Sequence, residues 1–537
     1  MTWLASSNVR AAFSTVLIEV QRRADKRGPR SNYPMSLLSF DIGSSHCKGV
    51  LFSERGEMLA LRTFAFAPDF PQPVFAEVNP ETFWSATCTL SRALVAHSSG
   101  DLIRAITLSS HGETFIPVSA AGEPLGPAIL NIDNRAVAEA DWLADEFGRA
   151  ELFQITGQVI HPIYSIPKML WLRRYRQEIW TATRRFLSVP AYLLLRMKMP
   201  PYIDYSLASR FLAFELRTCR WSPEILSSVG LTSGALPLPV PAGTIAGKLN
   251  AEIAANLGVP VGTPVVLGGH DQACSALGTG VIEPGRASDS MGTYECILTA
   301  SDKPQLGGEA FAAGLNSAFH VVPEKFTTLA YFPAGIMLQW FHDLIYGDSS
   351  GSADCGEEAN HFAELEAAAP RGPSGLCITP HLIGTCNPDF NPRARAAMVG
   401  LFAGAGRGHL YKGILEGIAC ELLKITEDMA RSIGDFGDFY VVGGGSRSRL
   451  GVELRASLTQ RRFHLMGCQE AVCLGGAILA AIALGAYKDA SEGVSQMVRE
   501  NCVIEPSPQI AAEYTQQEKQ YRALYRALEC VREESAQ

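Results

Sequence analysis

The fold is decided by the stretch SLLSFDIGSSHCKGVLFSERGE, residues 36–57. Apolar residues stand on both sides of the polar turn Gly43-Ser44-Ser45, and a second polar turn follows at Glu54 to Glu57. β-forming residues that flank turn residues predict antiparallel strands joined by hairpins. The stretch therefore predicts a β-sheet that begins directly after Met35.

A stretch of the same kind, GRASDSMGTYECILTA, occupies residues 285–300 of the second half. In it Gly292-Thr293 stands between two predicted strands, as Gly43-Ser44-Ser45 does in the first half. The pattern is a weak internal repeat, and strands followed by helical patterns favour α/β domains with mixed sheets. With 537 residues, the chain is long enough for two such domains facing one cleft.

We predict four segments along the chain. Residues 1–34 form an arginine-rich leader without core periodicity, which we expect to be disordered or to reflect an over-long gene start. Residues 35–262 form an N-terminal domain and residues 263–505 a C-terminal domain, which starts at the predicted strand of PVVLGGHDQ. Residues 506–537 form a helical tail.

Composition excludes several classes of protein. The net charge of −8 argues against nucleic-acid binding, which needs clustered positive charge. The most apolar run, Ala471 to Tyr487, is shorter than the roughly 20 apolar residues that cross a bilayer. Thirteen cysteines without a C-x-x-C pair indicate reduced thiols rather than disulfides or a zinc site. We therefore expect a cytoplasmic protein without a nucleic-acid or membrane partner.

Three glycine-rich turns could hold phosphate groups. Backbone N–H groups and hydroxyls at Gly43-Ser44-Ser45 and at Gly292-Thr293 can bind phosphate oxygens, and Lys48 adds a positive charge near the first turn. The third turn, Gly443-Gly444-Gly445-Ser446, lies between a predicted strand and a helix, where free N–H groups suit a phosphate or ribose oxygen. Each feature has a plain alternative, because Ser44 and Ser45 are ordinary turn residues and a lysine is commonly a solvated charge.

Asp271 is the candidate for acid–base chemistry. It ends the segment GGHD at a predicted strand end, where the glycines allow a close approach to the backbone. A carboxylate that faces a hydroxyl substrate is what phosphoryl transfer needs as a base or an orienting group. The alternative is a helix N-cap, a role that aspartate fills often.

Taken together and in order, FDIGSSHCKGVLF, GGHDQACSALGTG, SMGTYECIL and VVGGGSRSRLGVELRASLTQ resemble the FGGY carbohydrate kinases. Similarity continues through PAILNIDNRAVAEADWL, IPKMLWL, DYSLASRFLAFELRTCRW and CLGGAILAAIALGAY, and so covers about residues 36–500. The resemblance implies two ribonuclease-H-like domains, related to those of actin and hexokinase, that close over MgATP and a sugar or polyol.

The resemblance also implies roles for individual residues. Asp271 matches the catalytic base, and Asp41 belongs to the first phosphate hairpin, so both are expected near Mg²⁺, through water. The residues expected to bind ATP are Gly43, Ser44, Ser45, Lys48, Gly292, Thr293, Gly443, Gly444, Gly445 and Ser446. Those expected to bind the sugar are Glu113, Asp133 and, with less support from the motif, Arg135.

Two departures from the family pattern bear on the substrate. Asn131 replaces the tryptophan of the usual L-W-x-D-x-R motif, so the pocket should be reshaped. Tyr294-Glu295 after Gly-Thr is similar to the fuculokinase and rhamnulokinase style. We therefore expect a neutral acceptor, either a polyol or a ketose such as a pentulose or 6-deoxyketohexose. Two carboxylates in one pocket, Glu113 and Asp133, should disfavour an aldonate.

Two other functions remain open from sequence alone. One is a sugar-responsive regulator that binds ligand without turnover, and the other is a chaperone-like ATPase of the same fold. The retained Asp271 argues against the first, and the paired acids Glu113 and Asp133 argue against the second. A homodimer is the oligomeric state that we carry forward as a hypothesis.

Overall fold

The computed structural model describes residues 17–18, 35–97, 102–347 and 355–534. The predicted leader lies outside the described residues apart from Leu17–Ile18, which pairs antiparallel with Thr63 and Phe64. The described chain forms two seven-stranded sheets and several two-stranded ones.

The first sheet belongs to the N-terminal domain. Its strands in chain order are β1 Leu17–Ile18, β2 Met35–Ile42, β3 His46–Ser53, β4 Met58–Ala65, β5 Leu102–Ser110, β6 Ile245–Lys248 and β7 Pro264–His270. Their order across the sheet is β1-β4-β3-β2-β5-β7-β6. Strands β2, β5 and β7 are parallel to one another, whereas β3 and β4 run antiparallel to their neighbours.

The second sheet belongs to the C-terminal domain. Its strands are β8 Ala287–Met291, β9 Tyr294–Ser301, β10 Asn316–Phe319, β11 Phe326–Pro333, β12 Phe439–Val442, β13 Phe463–Met466 and β14 Glu500–Ile504. Their order is β10-β11-β9-β8-β12-β13-β14. Here β8, β12 and β13 are parallel, and β9 and β11 run antiparallel.

The two sheets share one spatial arrangement of strands. In each, three antiparallel strands (β4-β3-β2 or β11-β9-β8) continue into two further strands parallel to the third (β5-β7 or β12-β13), and an antiparallel edge strand closes that side. The edge strand comes before its neighbour in the chain in the first sheet, β6 before β7, and after it in the second, β14 after β13. This match confirms the internal repeat and the prediction of two related α/β domains with mixed sheets. The turns 43–45 and 292–293 therefore occupy equivalent positions, between β2 and β3 in the first domain and between β8 and β9 in the second.

Six principal helices surround these sheets: α1 Pro80–Val95, α2 Asp271–Thr279, α3 Arg407–Ile433, α4 Arg449–Thr459, α5 Ala471–Ala483 and α6 Pro508–Glu534. The remaining helices are Val137–Phe147, Arg149–Thr156, Ser165–Tyr175, Gln177–Ala182, Val189–Arg196, Tyr205–Ser209, Pro223–Ser228, Ala251–Leu257, Gly308–Ala312, Gly335–Tyr346, Cys355–Ala367 and Ala490–Met497, with 3₁₀ turns at Ser233–Ala235 and Gly444–Arg447. Short strand pairs join Glu77–Val78 to Ala128–Ile129, Ile116–Val118 to Arg185–Leu187, Tyr202–Asp204 to Leu238–Val240, Phe214–Glu215 to Arg220–Trp221, and Cys377–Thr379 to Ala397–Val399.

The two domains meet where α2 crosses α5. Helix α2 follows β7 of the first domain, and helix α5 follows β13 of the second. A Cβ atom on Gly278 would overlap the carbonyl oxygen of Ala471, and one on Gly475 would overlap that of Cys274. Because both positions are glycine, the backbones touch, and the two helices run antiparallel, with the start of α5 beside the end of α2.

The predicted domain boundary at residue 263 is corrected by the sheet pairing. Strand β7, which we assigned to the second domain, pairs with β5 of the first sheet. The reason is the repeat. Each sheet has two strands that continue in parallel from its hairpin, and in the first sheet β7 is the second of these. The first domain therefore extends through β7, and the second sheet begins at Ala287.

The predicted helical tail is the long helix α6, which packs against α3. The Tyr514 hydroxyl donates to Glu416 Oε1 over 2.8 Å, and the Tyr521 hydroxyl donates to Glu421. Both carboxylates are buried, so α6 supplies hydrogen bonds that α3 would otherwise lack.

No helix in the described part of the chain is long and apolar enough to cross a membrane. The apolar run from Ala471 forms the buried helix α5. The cysteines whose side chains are described are free thiols, from Cys47 to Cys502.

Candidate active site

The first phosphate turn closes the hairpin between β2 and β3. The Gly43 N–H donates to the carbonyl oxygen of His46 over 2.9 Å, which fixes the turn. Ser45 is exposed and Ser44 is half-buried, so both hydroxyls lie at the surface of the hairpin. The turn thus has the polar groups that sequence analysis assigned to phosphate binding.

The second phosphate turn closes the equivalent hairpin between β8 and β9. The Gly292 N–H donates to the carbonyl oxygen of Tyr294 over 3.0 Å. Ala334 and Ile336 donate their N–H groups to the carbonyl oxygen of Thr293, so the following helix supports the turn from one side. Gly292 and Thr293 are themselves exposed.

The third turn, at Gly443 to Ser446, lies against the second. Gly443 has a φ of 95°, and a Cβ there would come within 2.7 Å of the Met291 carbonyl oxygen, next to Gly292. Only glycine fits such a position. The Ser446 hydroxyl donates to the Gly443 carbonyl oxygen over 2.7 Å, and the Gly443 N–H donates to Gln469.

The start of α4, which follows this turn, is not free to bind an anion. The Leu450 N–H donates to Glu366 Oε1 over 3.0 Å, and the Gly451 N–H donates to the Ser448 hydroxyl over 3.0 Å. Our expectation of free N–H groups at this helix start is therefore wrong, because a carboxylate and a hydroxyl already cap it. The backbone of the glycine turn itself is left as the candidate nucleotide contact.

Asp271 lies at the first position of α2, directly after β7. Its side chain is 25% exposed, and Oδ1 lies 3.3 Å from Nε2 of His270. Burial and the neighbouring carboxylate of Asp41 together raise the pKa of Asp271 to about 8. The strand end is supported from behind, because the His270 N–H donates to the Ser206 hydroxyl over 2.9 Å.

Asp41 lies near the end of β2 and is the second carboxylate of this pair. Burial raises the pKa of Asp41 to about 6, opposed by the positive charge of Lys48. Two carboxylates whose charges repel each other would both be stabilised by a cation between them. Mg²⁺ is commonly held by one or two carboxylates together with water and phosphate oxygens, so the donor set of Asp41 and Asp271 fits this ion.

Lys48 makes a contact that sequence analysis did not anticipate. Its ammonium lies 2.7 Å from Oε2 of Glu470, which precedes α5 in the second domain. This ion pair places the positive charge of the first hairpin at the interface of the two domains.

Glu113 lies beyond the end of β5 in an uncommon backbone conformation. Its φ is 58°, and the Thr114 N–H donates to the Gly112 carbonyl oxygen over 2.6 Å, which closes a three-residue γ-turn around Glu113. The form with positive φ is rare and strained. Such strain concentrates at functional sites, where the surrounding structure holds it in place.

The Glu113 carboxylate is bound by Arg210. Arg210 Nε donates to Glu113 Oε1 over 2.5 Å, and a terminal nitrogen of the same guanidinium also contacts Oε1. The other terminal nitrogen, Nη1, donates to Gln158 Oε1 over 2.7 Å. Arg210 also lies close enough to Asp271 to lower its pKa in part.

Asp133 and Arg135 form a buried ion pair within the first domain. Asp133 is fully buried, and Oδ2 accepts from the Ala76 N–H over 2.6 Å and from Arg135 Nη2 over 2.7 Å. The Arg135 guanidinium lies over the rings of Phe75, at 3.9 Å, and Trp171, at 4.8 Å. Both charged groups have partners within the first domain, and their contact with the sugar stays a prediction.

Glu295 is likewise a core residue. It is fully buried and forms a two-pronged ion pair with Arg455, with distances of 2.9 and 2.7 Å. Both oxygens of the neighbouring Asp289 are buried and lack a hydrogen-bond partner in the described part of the chain. Glu295 points into the core, and the substrate preference inferred from Tyr294-Glu295 stays a prediction.

Sequence reasoning missed Arg210, Gln158 and Asn316. Arg210 lies in the segment DYSLASRFLAFELRTCRW that carries part of the family resemblance. Nothing in the sequence shows that this arginine, rather than another, reaches Glu113 across 97 positions of the chain. The only local signal for Glu113 is its glycine neighbour, Gly112.

The fold and these turns define a two-domain kinase, and comparison with known proteins shows its family. The N-terminal domain of the FGGY family of carbohydrate kinases matches residues 36–278, and its C-terminal domain matches residues 287–484. The chain belongs to the FGGY family of carbohydrate kinases and is a carbohydrate kinase with two actin- and hexokinase-like domains.

Its similar relatives include two enzymes of Bacillus subtilis. A gluconokinase is 28% identical over 487 residues, covering 89% of this chain and 93% of that protein. A xylulose kinase is 25% identical over 492 residues, covering 91% and 96%. Among solved structures, a gluconate kinase from Lactobacillus acidophilus superposes with a TM-score of 0.83 at 23% identity, covering 92% of this chain and 98% of that one. The last likeness shows the fold.

Proposed function

We propose that this enzyme transfers the γ-phosphoryl group of ATP to a hydroxyl of a small, open-chain sugar or polyol, with Asp271 as the general base. The observation that carries the proposal is the position of Asp271. Its partly exposed carboxylate lies at the end of β7, where the helices α2 and α5 bring the two domains together.

The charge state of Asp271 suits this role. A base works best when its pKa lies near the operating pH, because it must be free before the reaction and must hold the proton afterwards. Burial and the Asp41 carboxylate raise the pKa of Asp271 to about 8, which is near that optimum. The acceptor hydroxyl would give its proton to Asp271 as its oxygen attacks the γ-phosphorus, and ADP would leave.

The phosphates of ATP would be held by the three turns. The first contributes the Ser44 and Ser45 hydroxyls and backbone N–H groups, and the second contributes Gly292 and Thr293. Gly443 to Ser446 lie beside the second turn and would face the nucleoside. Asp41 and Asp271 would hold Mg²⁺ through water, and the ion would neutralise charge on the transferring phosphoryl group.

The acceptor pocket is supported by Glu113 and Asn131. Glu113 is placed by a strained turn and offers a carboxylate for sugar hydroxyls. Asn131 Oδ1 is buried without a hydrogen-bond partner among the described residues, and a hydroxyl of the acceptor would satisfy it. A neutral ketose such as a pentulose or 6-deoxyketohexose, or a polyol, remains our first candidate.

A sugar acid is the second candidate, and two observations favour it. The argument against an aldonate used two facing carboxylates, and Asp133 is bound to Arg135 instead. Arg210 also places a positive charge beside Glu113, which reduces repulsion of an anionic acceptor. Similarity to gluconokinases supports the same candidate.

The test is ADP release by the purified enzyme with MgATP and a panel of ketoses, polyols and aldonates. The proposal expects ADP release that depends on one acceptor class and yields the phosphorylated acceptor by mass spectrometry. Release that no acceptor stimulates would indicate an ATPase, and ligand binding without release would indicate a regulator. Either result would overturn the proposal.

A further inference from the structure

We infer that Arg210 is a positioning residue for the acceptor, which holds the Glu113 carboxylate in place and ties it to the second domain. The inference rests on the proposed function, because it assigns Glu113 to the acceptor pocket. It adds a residue outside the turns and the carboxylate pair described above.

The first reason is that Glu113 needs a support. It lies in a γ-turn outside any helix or strand, so regular secondary structure does not fix the direction of its side chain. The Ser165 hydroxyl donates to the Glu113 carbonyl oxygen over 2.9 Å and holds the main chain. Among the described residues, only Arg210 donates a hydrogen bond to the Glu113 carboxylate.

The second reason is the burial of the pair. The side chains of Arg210 and Glu113 are 6% and 5% exposed. A buried charge that loses its partner costs several kcal/mol, so each group keeps the other in place. Arg210 also packs against Gly112, where a Cβ would come within 2.8 Å of Arg210 Cγ. The glycine before Glu113 thus makes room for the arginine that holds it.

The third reason is the route from Arg210 to the second domain. Gln158 Oε1 accepts from Arg210 Nη1, while Gln158 Nε2 donates to the Ser317 carbonyl oxygen over 2.6 Å. Ser317 and Asn316 belong to β10, the edge strand of the second sheet. The Tyr164 hydroxyl lies 3.0 Å from Gln158 Oε1 and 3.1 Å from Asn316 Oδ1.

These contacts form one continuous buried polar chain from Glu113 through Arg210 and Gln158 to β10. Such networks are sensitive to the loss of any member, because the remaining groups are left unpaired in a medium of low dielectric constant. The position of the acceptor's carboxylate partner is therefore set by the packing of one domain on the other.

A double-mutant cycle tests the inference. Arg210→Met, Glu113→Gln and the double variant are compared with the wild type for kcat/KM of the acceptor and for KM of MgATP. Arg210→Met should lower kcat/KM for the acceptor about tenfold or more and leave KM for MgATP within about twofold. In the Glu113→Gln background the same change should cost less than about threefold, since Arg210 acts through Glu113.

Two controls separate positioning from a loss of folding. Arg196→Met removes another arginine of the first domain, whose guanidinium lies over the ring of Trp84, and should leave both constants unchanged. Arg210→Lys keeps the charge but loses the planar fork, so it should recover part of the acceptor kcat/KM, and it replaces Arg210→Met in the cycle if that variant does not fold.

The outcomes distinguish the inference from the proposed function. An active wild type with equal losses from Arg210→Met in both backgrounds overturns the inference alone. Equal changes in the constants for acceptor and MgATP also overturn it. A wild type that phosphorylates no member of the acceptor panel overturns the proposed function and the inference together.

Discussion

The ammonium of Lys48 lies 2.7 Å from the carboxylate of Glu470, and this ion pair joins the two domains beside the first phosphate turn. Lys48 comes from β3 of the first domain, whereas Glu470 directly precedes α5 of the second. Glu470 is the residue before α5 and is separated from β13 by residues 467–469, whereas Asp271 follows β7 directly and is the first residue of α2. The repeat thus places a carboxylate near the start of the corresponding helix in each domain.

This ion pair predicts opposite effects of two substitutions on nucleotide binding. Lys48→Met should weaken MgATP binding about tenfold, because it removes a charge near the phosphates. Glu470→Gln should strengthen binding by a few-fold, since the phosphates would no longer compete with a carboxylate for Lys48. Isothermal titration calorimetry with a non-hydrolysable ATP analogue measures both. Equal weakening by the two variants would instead show that Glu470 holds Lys48 in a binding position.

Glu113 and Asp133 should respond differently to the loss of their charge. Glu113→Gln should lower kcat/KM for the acceptor by about tenfold or more, in addition to the loss of stability that follows from leaving Arg210 buried without its carboxylate partner. Asp133→Asn should mainly destabilise the fold, by about 3–5 kcal/mol, since it leaves Arg135 buried with one fewer anionic partner. Urea unfolding and acceptor kinetics on both variants check this. If Asp133→Asn instead changed the acceptor preference and left stability unchanged, Asp133 would have to contact the acceptor.

The pH dependence of the reaction should reflect the raised pKa of Asp271. Only the carboxylate form can accept the hydroxyl proton, and its pKa is raised to about 8. We therefore expect kcat/KM to fall about tenfold for each pH unit below about 8 and to level off above it. A pH–rate profile from 5.5 to 9.5 tests this. A rate that stays constant down to pH 5.5 would mean that the group retains an ordinary aspartate pKa or takes no proton.

Helix α6 should contribute to stability through its tyrosines. Although burial opposes it, Lys424, His381 and the Tyr521 hydroxyl lower the pKa of Glu421 to about 2. Tyr521→Phe removes one of these partners and should cost about 1–3 kcal/mol of unfolding free energy. Tyr175→Phe, at an exposed tyrosine, is the matched control and should change stability by less than about 0.5 kcal/mol. A similar effect of both variants in urea unfolding would contradict the role of this contact.

Much of the fold was predictable from local sequence. Apolar runs around Gly43 and around Gly292 predicted both hairpins, and their similarity predicted the duplicated strand arrangement that the sheets show. The domain boundary was wrong by one strand, because β7 reaches β5 only after a long crossover and pairs with a distant partner. Local pattern carries no information about such pairing.

The site was predictable only where one segment supplies the chemistry. The turns 43–45, 292–293 and 443–446 and the strand end before Asp271 are each continuous in sequence. The partners of charged residues lie far apart in sequence or cannot be recognised from it. The sequence therefore could not show three contacts: Arg210 with Glu113, Arg135 with Asp133, and Glu366 with the start of α4. Each depends on residues brought together by tertiary packing.

Asp271→Asn tests the central claim most directly. The amide keeps the shape of the side chain but cannot take the proton, and loss of a general base commonly costs about 10²- to 10⁴-fold in rate. The measurement is acceptor-dependent ADP release by wild type and variant at saturating MgATP and acceptor, with analogue binding by calorimetry as the control for nucleotide affinity. We predict a loss of at least about 100-fold in kcat with nearly unchanged nucleotide binding. Retention of more than about half the wild-type rate would contradict the assignment of Asp271 as the base.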